Sequence, residues 1–303
     1  MESCRVLVSL ITKDNDYQRE QAAAAERAAA KLGIAVEIIY AGNDAIVQSQ
    51  QLLEAIQAKP ERRPHAIVLS PAGTALHQVA LASAKANIGW VVLNLDADYI
   101  ASVRRLTSAP VFAVSSDHLA IGKLQAAQVA RLLPEGGQVL YVQGPSISAA
   151  AHQRTQGMKE AKPANIQLRL LTGQWTEASA YQAALSFLRL RTSLDARIEM
   201  VVSQNDAMAI GVRKALKEAM KDWSWLPFTG VDGLPSTGQR WVREGLLTAT
   251  VVVPTNTDIA LEMLKKAMMT KSQPAELTFT KPESYPDLGN LTPPTKRSDR
   301  QHA

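Results

Sequence analysis

RVLVSLITKDNDYQREQAAAAERAAAKLGIAVEIIY, residues 5 to 40, is the stretch whose reading decides the fold. An apolar, β-branched run from Arg5 to Ile11 precedes a segment of helical period from Tyr17 to Leu32, closed by Gly33. A second apolar run follows from Ala35 to Tyr40. Apolar residues recurring on one helical face, bounded by short runs of Val, Ile and Leu, spell strand, helix, strand.

The alternation continues outward from there. Ala45 to Ala58, Ala66 to Ser70, Thr74 to Asn87, Trp90 to Asn94 and Val111 to Ser115 complete a first series. A second series runs through Leu119 to Leu133, Gln138 to Val142, Ala149 to Ala161, Ile166 to Leu171 and Thr176 to Thr192. It ends with Met200 to Ser203, Asp206 to Met220 and Phe228 to Val231. Runs such as Ala66-Ile67-Val68-Leu69 and Val201-Val202 are apolar on both faces, as parallel strands are when helices cover each side. The chain therefore reads as α/β, with two doubly wound parallel-sheet lobes, each offering a ligand edge at the carboxyl ends of its strands. Polar residues gather at those ends, among them Ser9 to Tyr17, Asn94 to Asp98, Gln143 to Ser148, Gly173 to Thr176, Ser203 to Asp206 and Val231 to Gly233.

Bulk properties narrow the function. The 303 residues are 46% hydrophobic and 20% charged, with a formal net charge of +5, ordinary for globular lobes with sizeable cores. Apart from Glu61-Arg62-Arg63 and the stretch from Lys296 to Arg300, the cations are dispersed, so no nucleic-acid partner is expected. The single cysteine, Cys4, excludes an internal disulfide and a multi-cysteine metal site. No apolar run approaches the roughly 20 residues of a membrane span, so no membrane insertion is expected. The opening Met-Glu-Ser-Cys-Arg lacks a signal peptide's pattern, which leaves the compartment as periplasmic if an export signal was removed and cytoplasmic otherwise.

Enzyme motifs are missing. Gly122-Lys123 lacks the upstream glycine of a phosphate loop, no G-x-G-x-x-G follows the first strand, and Gly144-Pro145-Ser146-Ile147-Ser148 lacks the second glycine of a nucleophile elbow. The histidines show no metal-ligand spacing. No catalytic residue, metal site or cofactor is assigned, and the chain is expected not to be an enzyme.

At Ser203-Gln204-Asn205-Asp206-Ala207-Met208-Ala209-Ile210-Gly211 the chain resembles the "QND-x-MA-x-G" segment of type I sugar-binding proteins and LacI-type effector domains. Ser116-Asp117 with Gly122, Gln143-Gly144 with Arg154 and Gly157, and Gly230-Val231-Asp232-Gly233 join it in order. The chain is thus similar to the type I periplasmic binding protein family from Val6 to about Thr280. The resemblance implies three chain crossings forming a hinge near Ser116, Pro254 and Pro282. One lobe would comprise 1–116 and 254–282, the other 117–253 and 283–291, with a tail at 292–303.

Carried over position by position, the resemblance makes Asn205 and Asp232 hydrogen-bonding residues of the second lobe, Arg154 a donor, and Trp175 the aromatic wall. A hydroxyl both donates and accepts, so carboxylate, amide and guanidinium groups suit a sugar's edges and an aromatic ring suits its C–H face. Each has a second reading: Asn205 as the cap of the helix starting at Asp206, Asp232 as a turn residue, Trp175 as core and Arg154 as a solvated helix residue. In the first lobe Asn15, Tyr17 and Asn94 are the ligand candidates, and Asp16 suits the cleft loop and a cap of the following helix equally.

Departures from the ribose-type pattern bear on the ligand. Its "D-R" pair becomes Asn94-Leu95, and its crossover Gln falls in Val251-Val252-Val253-Pro254. A hydroxyl left without a partner costs about 1–3 kcal/mol, which argues against ribose itself. The expected function is a solute-binding protein closing on a small polar, sugar-like ligand for ABC-type transport or sensing, with a permease or a signalling receptor as partner. The alternative is a cytoplasmic LacI-like sensing domain without a DNA reader.

Overall fold

The computed structural model describes residues 4–73, 76–189, 197–220 and 225–294. The chain divides into two compact units, one of residues 1–116 and 255–280, the other of 117–254 and 281–303. Both are α/β, and each is built on a six-stranded sheet.

In the first unit the strands are β1 (Cys4–Leu10), β2 (Ile34–Tyr40), β3 (Ala66–Leu69), β4 (Gly89–Leu93), β5 (Val111–Ser116) and, from the far end of the chain, β11 (Leu277–Thr280). They lie in the order β11-β5-β4-β3-β1-β2, all pairings parallel. Helix α1 (Asp16–Leu32) and helix α10 (Thr257–Thr270) cover one face, where Ala25, Ala29, Leu261 and Leu264 meet Val6, Val8 and Phe112. Helices α2 (Ala45–Gln57), α3 (His77–Lys85) and α4 (Ile100–Arg104) cover the other, packing Leu52, Val79 and Val103 on Leu7, Ile67 and Trp90. Side chains alternate across each strand, so Val6 and Val8 feed one core and Leu7 the other.

The second unit repeats the plan. Its strands are β6 (Gly137–Gln143), β7 (Ile166–Thr172), β8 (Ile198–Ser203), β9 (Phe228–Asp232), β10 (Ala249–Val252) and β12 (Glu283–Tyr285), in the order β12-β10-β9-β8-β6-β7. Only β12 runs antiparallel to its neighbour. Helices α5 (His118–Leu132) and α6 (Ala149–Ala161) lie on one face. Helices α7 (Glu177–Leu188) and α8 (Asp206–Met220) lie on the other, and a short α9 (Gly238–Arg243) follows β9.

Two motif glycines are packing positions. A Cβ on Gly122 of α5 would lie 2.0 Å from the Arg154 carbonyl oxygen of α6, and one on Gly157 of α6 would lie 2.1 Å from the Leu119 carbonyl. The two helices touch backbone to backbone, which only a residue without a side chain permits. Side-chain caps fix the helix starts that face the strand ends: Asn15, Asp44, Asp117, Ser148 and Thr176 each accept a backbone N–H of the first turn.

The periodicity reading misses α4, α9 and α10 and the strands β10 and β11. The expected helix from Thr74 begins at His77, residues 74 and 75 lying outside the described residues, and the expected tail from 295 onward also lies outside them. Asp16 does not cap α1: Asn15 does, its Oδ1 accepting the Gln18 N–H at 3.1 Å. Asn15 has extended backbone, which a cap needs, whereas Asp16 already lies in the helix and serves its positive N-terminal end as a charge.

Candidate functional site

In the second unit the site grows from the junction of β8 and α8, where Gln204 and Asn205 leave the strand. Gln204 is fully buried. Its Oε1 accepts the Gly144 N–H at 2.8 Å, and its Nε2 donates among the Ala151 carbonyl at 2.9 Å, Thr155 Oγ1 at 2.9 Å and the Tyr141 hydroxyl at 3.1 Å. Its backbone carbonyl accepts Arg154 Nη1. Tyr141 donates onward to Gln125 Oε1, and Gln125 donates to the Ser203 carbonyl. Burial pushes the Tyr141 hydroxyl up to about 12, against the opposing pull of Gln204, Arg154 and Thr155.

Asn205 uses its amide twice: Oδ1 accepts the Met208 N–H at 2.9 Å, capping α8, and Nδ2 donates to the Trp175 carbonyl at 2.9 Å. Its cap reading is thus realised in the structure. Trp175 stands with φ +64° in the loop between β7 and α7, half-buried against the α7/α8 core. Arg154, only 6% exposed, places its guanidinium carbon 5.5 Å from the Trp175 ring centroid, within cation–π range. Arg154 is therefore a buried residue and not a solvated one.

Asp206, also buried, hangs between two glycines. Its Oδ2 accepts the Gly233 N–H at 2.8 Å and its Oδ1 accepts the Thr250 hydroxyl at 2.6 Å. A Cβ on Gly230 or Gly238 would fall within 2.1 Å of these oxygens, so both glycines make room for the carboxylate. Burial pushes the Asp206 carboxyl well above the ordinary carboxylate range, and the Asp232 charge pushes the same way against Thr250, Gly233 and Arg154. Asp232 itself ends β9 at φ +104°, a backbone region that disfavours side chains.

The first unit's edge is a separate polar assembly. Asn94, at φ +59° after β4, accepts the Asn256 Nδ2 proton and lies 3.4 Å from the Ser116 hydroxyl. Asn256 in turn accepts the Thr280 hydroxyl at 3.2 Å, and Gln21 of α1 accepts the N–H groups of Asn256 and Thr257. Buried Gln48 holds the end of β3: its Nε2 donates to Ser9 Oγ and the Ser70 carbonyl, and its Oε1 accepts the Ala72 N–H. Tyr17 sits half-buried in the first turn of α1.

The structure therefore gathers Arg154, Trp175 and Asn205 into one constellation, with Asp232 beside Asp206. Asn94 belongs to the network of the first unit, and Asn15 and Tyr17 open α1. Sequence reasoning passes over Gln204, Asp206, Gln48 and Asn256. For Gln204 and Asp206 the legible signal is a polar residue following the end of β8, whereas Gln48 lies within α2 and Asn256 just before α10; burial, which decides their roles, is a tertiary property. Among the described residues no group of three His, Cys, Asp or Glu side chains is placed to hold a metal, and no helix is long and apolar enough to cross a membrane.

Comparison with known proteins follows the same line. Residues 6–272 match the family model described as the periplasmic binding protein domain. The D-allose-binding periplasmic protein of Escherichia coli (strain K12) is 28% identical over 250 residues, covering 80% of this chain and 77% of that protein. The D-apiose import binding protein of Actinobacillus succinogenes is 25% identical over 268 residues, covering 87% and 80%. Among solved structures, an ABC transporter periplasmic solute-binding protein of Actinobacillus succinogenes 130z with bound D-allose superposes with a TM-score of 0.81 at 20% identity, over 92% of this chain and 96% of that one. The likeness at that identity is one of fold. With a family match along most of its length and two α/β units of this plan, the chain belongs to the periplasmic binding protein family, in its type I form.

Proposed function

We propose that the chain binds a monosaccharide-sized polyhydroxylated ligand, without changing it chemically, and delivers it to an ABC-type permease. The observation that carries this reading is the Arg154–Trp175 pair, with the Asp232 carboxylate at the carboxyl end of β9 in the same unit: a guanidinium donor, a flat apolar wall and an acceptor. That set suits a ring with hydroxyls on its rim and C–H groups on its faces. Backbone strain at Trp175, Asp232 and Asn94 supports the same edges, since unfavourable φ values concentrate where a ligand is held. Asn205 contributes through its second amide proton and remaining lone pair, and Asn15, Tyr17 and Asn94 are the contacts proposed for the first unit.

The three chain crossings suit a hinge, and we propose that the units close on the ligand so that the permease recognises the closed form. One relative is named as a periplasmic binding protein and the other as an import binding protein, which favours an exported, periplasmic protein over a cytoplasmic sensing domain. Isothermal calorimetry against D-allose, D-ribose, D-apiose, xylitol and myo-inositol tests the ligand class. Saturable binding of one of them, weakened at least tenfold by Arg154→Met, is expected. Binding of none of them, with tight binding of a metabolite that lacks hydroxyl groups, would refute the carbohydrate reading.

A further inference from the structure

Gln204 reaches both members of the Arg154–Trp175 pair without reaching solvent, Arg154 directly and Trp175 through Gly144. Its Oε1 holds the Gly144 N–H, its carbonyl holds Arg154 Nη1, and its Nε2 holds the first turns of α6 through the Ala151 carbonyl and Thr155 Oγ1. Gly144 is the floor on which the indole rests, since a Cβ there would lie 2.2 Å from Trp175 Cζ2. The neighbouring Asn205 holds the Trp175 carbonyl from the other side. A glutamine that served only its own burial would need partners for its own atoms. This one fixes two separate segments, Gly144 and α6, and both carry or support the two side chains proposed to meet the ligand.

We propose that Gln204 is a positioning residue for ligand recognition: one buried amide sets the Trp175 wall and the Arg154 donor relative to each other, through Gly144 and α6. This rests on the carbohydrate-site reading above and deepens it. Ligand affinity then depends on a side chain that the ligand never touches.

The test uses the full chain labelled with 5-fluorotryptophan and observed by fluorine NMR without ligand, the Trp175 resonance being identified by its loss in Trp175→Phe. Gln204→Met keeps the length of the side chain and removes its hydrogen bonds. It is expected to move or broaden the Trp175 resonance while that of Trp90, in the first unit's core, stays in place. Gln204→Glu, which keeps the shape of the side chain and removes the Nε2 donor to Ala151 and Thr155, is expected to move the same resonance and serves if Gln204→Met does not fold. An unmoved Trp175 resonance in the folded variant would overturn the proposal.

Calorimetry with D-allose supplies the second readout. Gln204→Met is expected to weaken binding on the order of tenfold in the parent chain and by less than about threefold in a Trp175→Phe background, because residues acting as a unit are not additive. Equal losses in both backgrounds would show that Gln204 does not act through Trp175, and would also overturn the proposal. If the parent chain binds no D-allose, the choice of that sugar fails and the fluorine comparison alone decides the positioning role.

Discussion

Replacing Gly122 by Ala brings the close contact of α5 and α6 to a measurable test. The new Cβ would lie 2.0 Å from the Arg154 carbonyl oxygen and 2.8 Å from the Met158 nitrogen, whereas ordinary contact begins near 3.4 Å. Both atoms belong to a helix backbone, so no rotamer change relieves the clash and α6 has to move by about 1.4 Å. Overpacking of this kind costs about 3 kcal/mol at the upper end of its usual range. Ala gains about 1 kcal/mol over Gly inside a helix, so the expected net loss is about 2 kcal/mol. Urea unfolding measures it as a lower midpoint at unchanged slope. Gly289→Ala is the control, because nothing lies within 4 Å of its Cβ, and a change of less than about 0.5 kcal/mol is expected there. A Gly122→Ala protein as stable as that control would refute the backbone-contact reasoning, and with it the account of how α6 is held in place to carry Arg154.

Three further outcomes are expected. Asp206 has a folded pKa above its ordinary 3.8, so its contribution to stability is fully present below that value and is lost as pH rises through the folded pKa; the melting temperature of Asp206→Asn relative to the parent should therefore rise as pH increases from about 4 towards neutrality, and a difference that stays flat would contradict the shift. Gln48→Leu strips partners from the Ser70 carbonyl and the Ala72 N–H, for an expected loss of about 3 kcal/mol in urea unfolding; a loss under about 1 kcal/mol would mean that neighbouring groups replace the amide. Trp90→Ala empties the centre of one core in the first unit and should cost about 3–5 kcal/mol by the same measurement, a small loss indicating that the site collapses.

The parts of the fold legible in the sequence were those with strong local period. The strand, helix and strand from Arg5 to Tyr40 and the helix from Ala149 to Ala161 need no tertiary knowledge, because the strands are short apolar runs, the helices have a helical period, and their ends carry caps and turn residues. Helix α4 is only five residues long and offers too few turns for a period to register. Helix α10 has an ordinary apolar face, but the chain reaches it after leaving the second unit, and its packing partner α1 lies more than 200 residues away. At the site, an asparagine at a strand's end suits a helix cap and a sugar hydroxyl equally, so Asn205 stays double in the sequence until its amide is seen bonded to Met208 and Trp175. Gln204 stands out in the sequence as a polar residue at a strand's end, but its role is not legible there, since it consists of partners 49 to 63 positions away.

The discontinuous make-up of the first unit has a consequence for how the protein is made. When a ribosome has released the first 116 residues, β1 to β5 are complete, but the sheet face of Val6, Val8 and Phe112 still lacks Ala260, Leu261 and Leu264, and β5 lacks β11. Asn94 likewise has no Asn256 to bond. The second unit's β6 to β10 emerge before those pieces arrive. The unit that starts first therefore finishes after them, and its early intermediate exposes an apolar face and a bare strand edge while more than 130 further residues are synthesised. A nascent chain stalled near residue 254 should be the form most prone to aggregate and most dependent on chaperones.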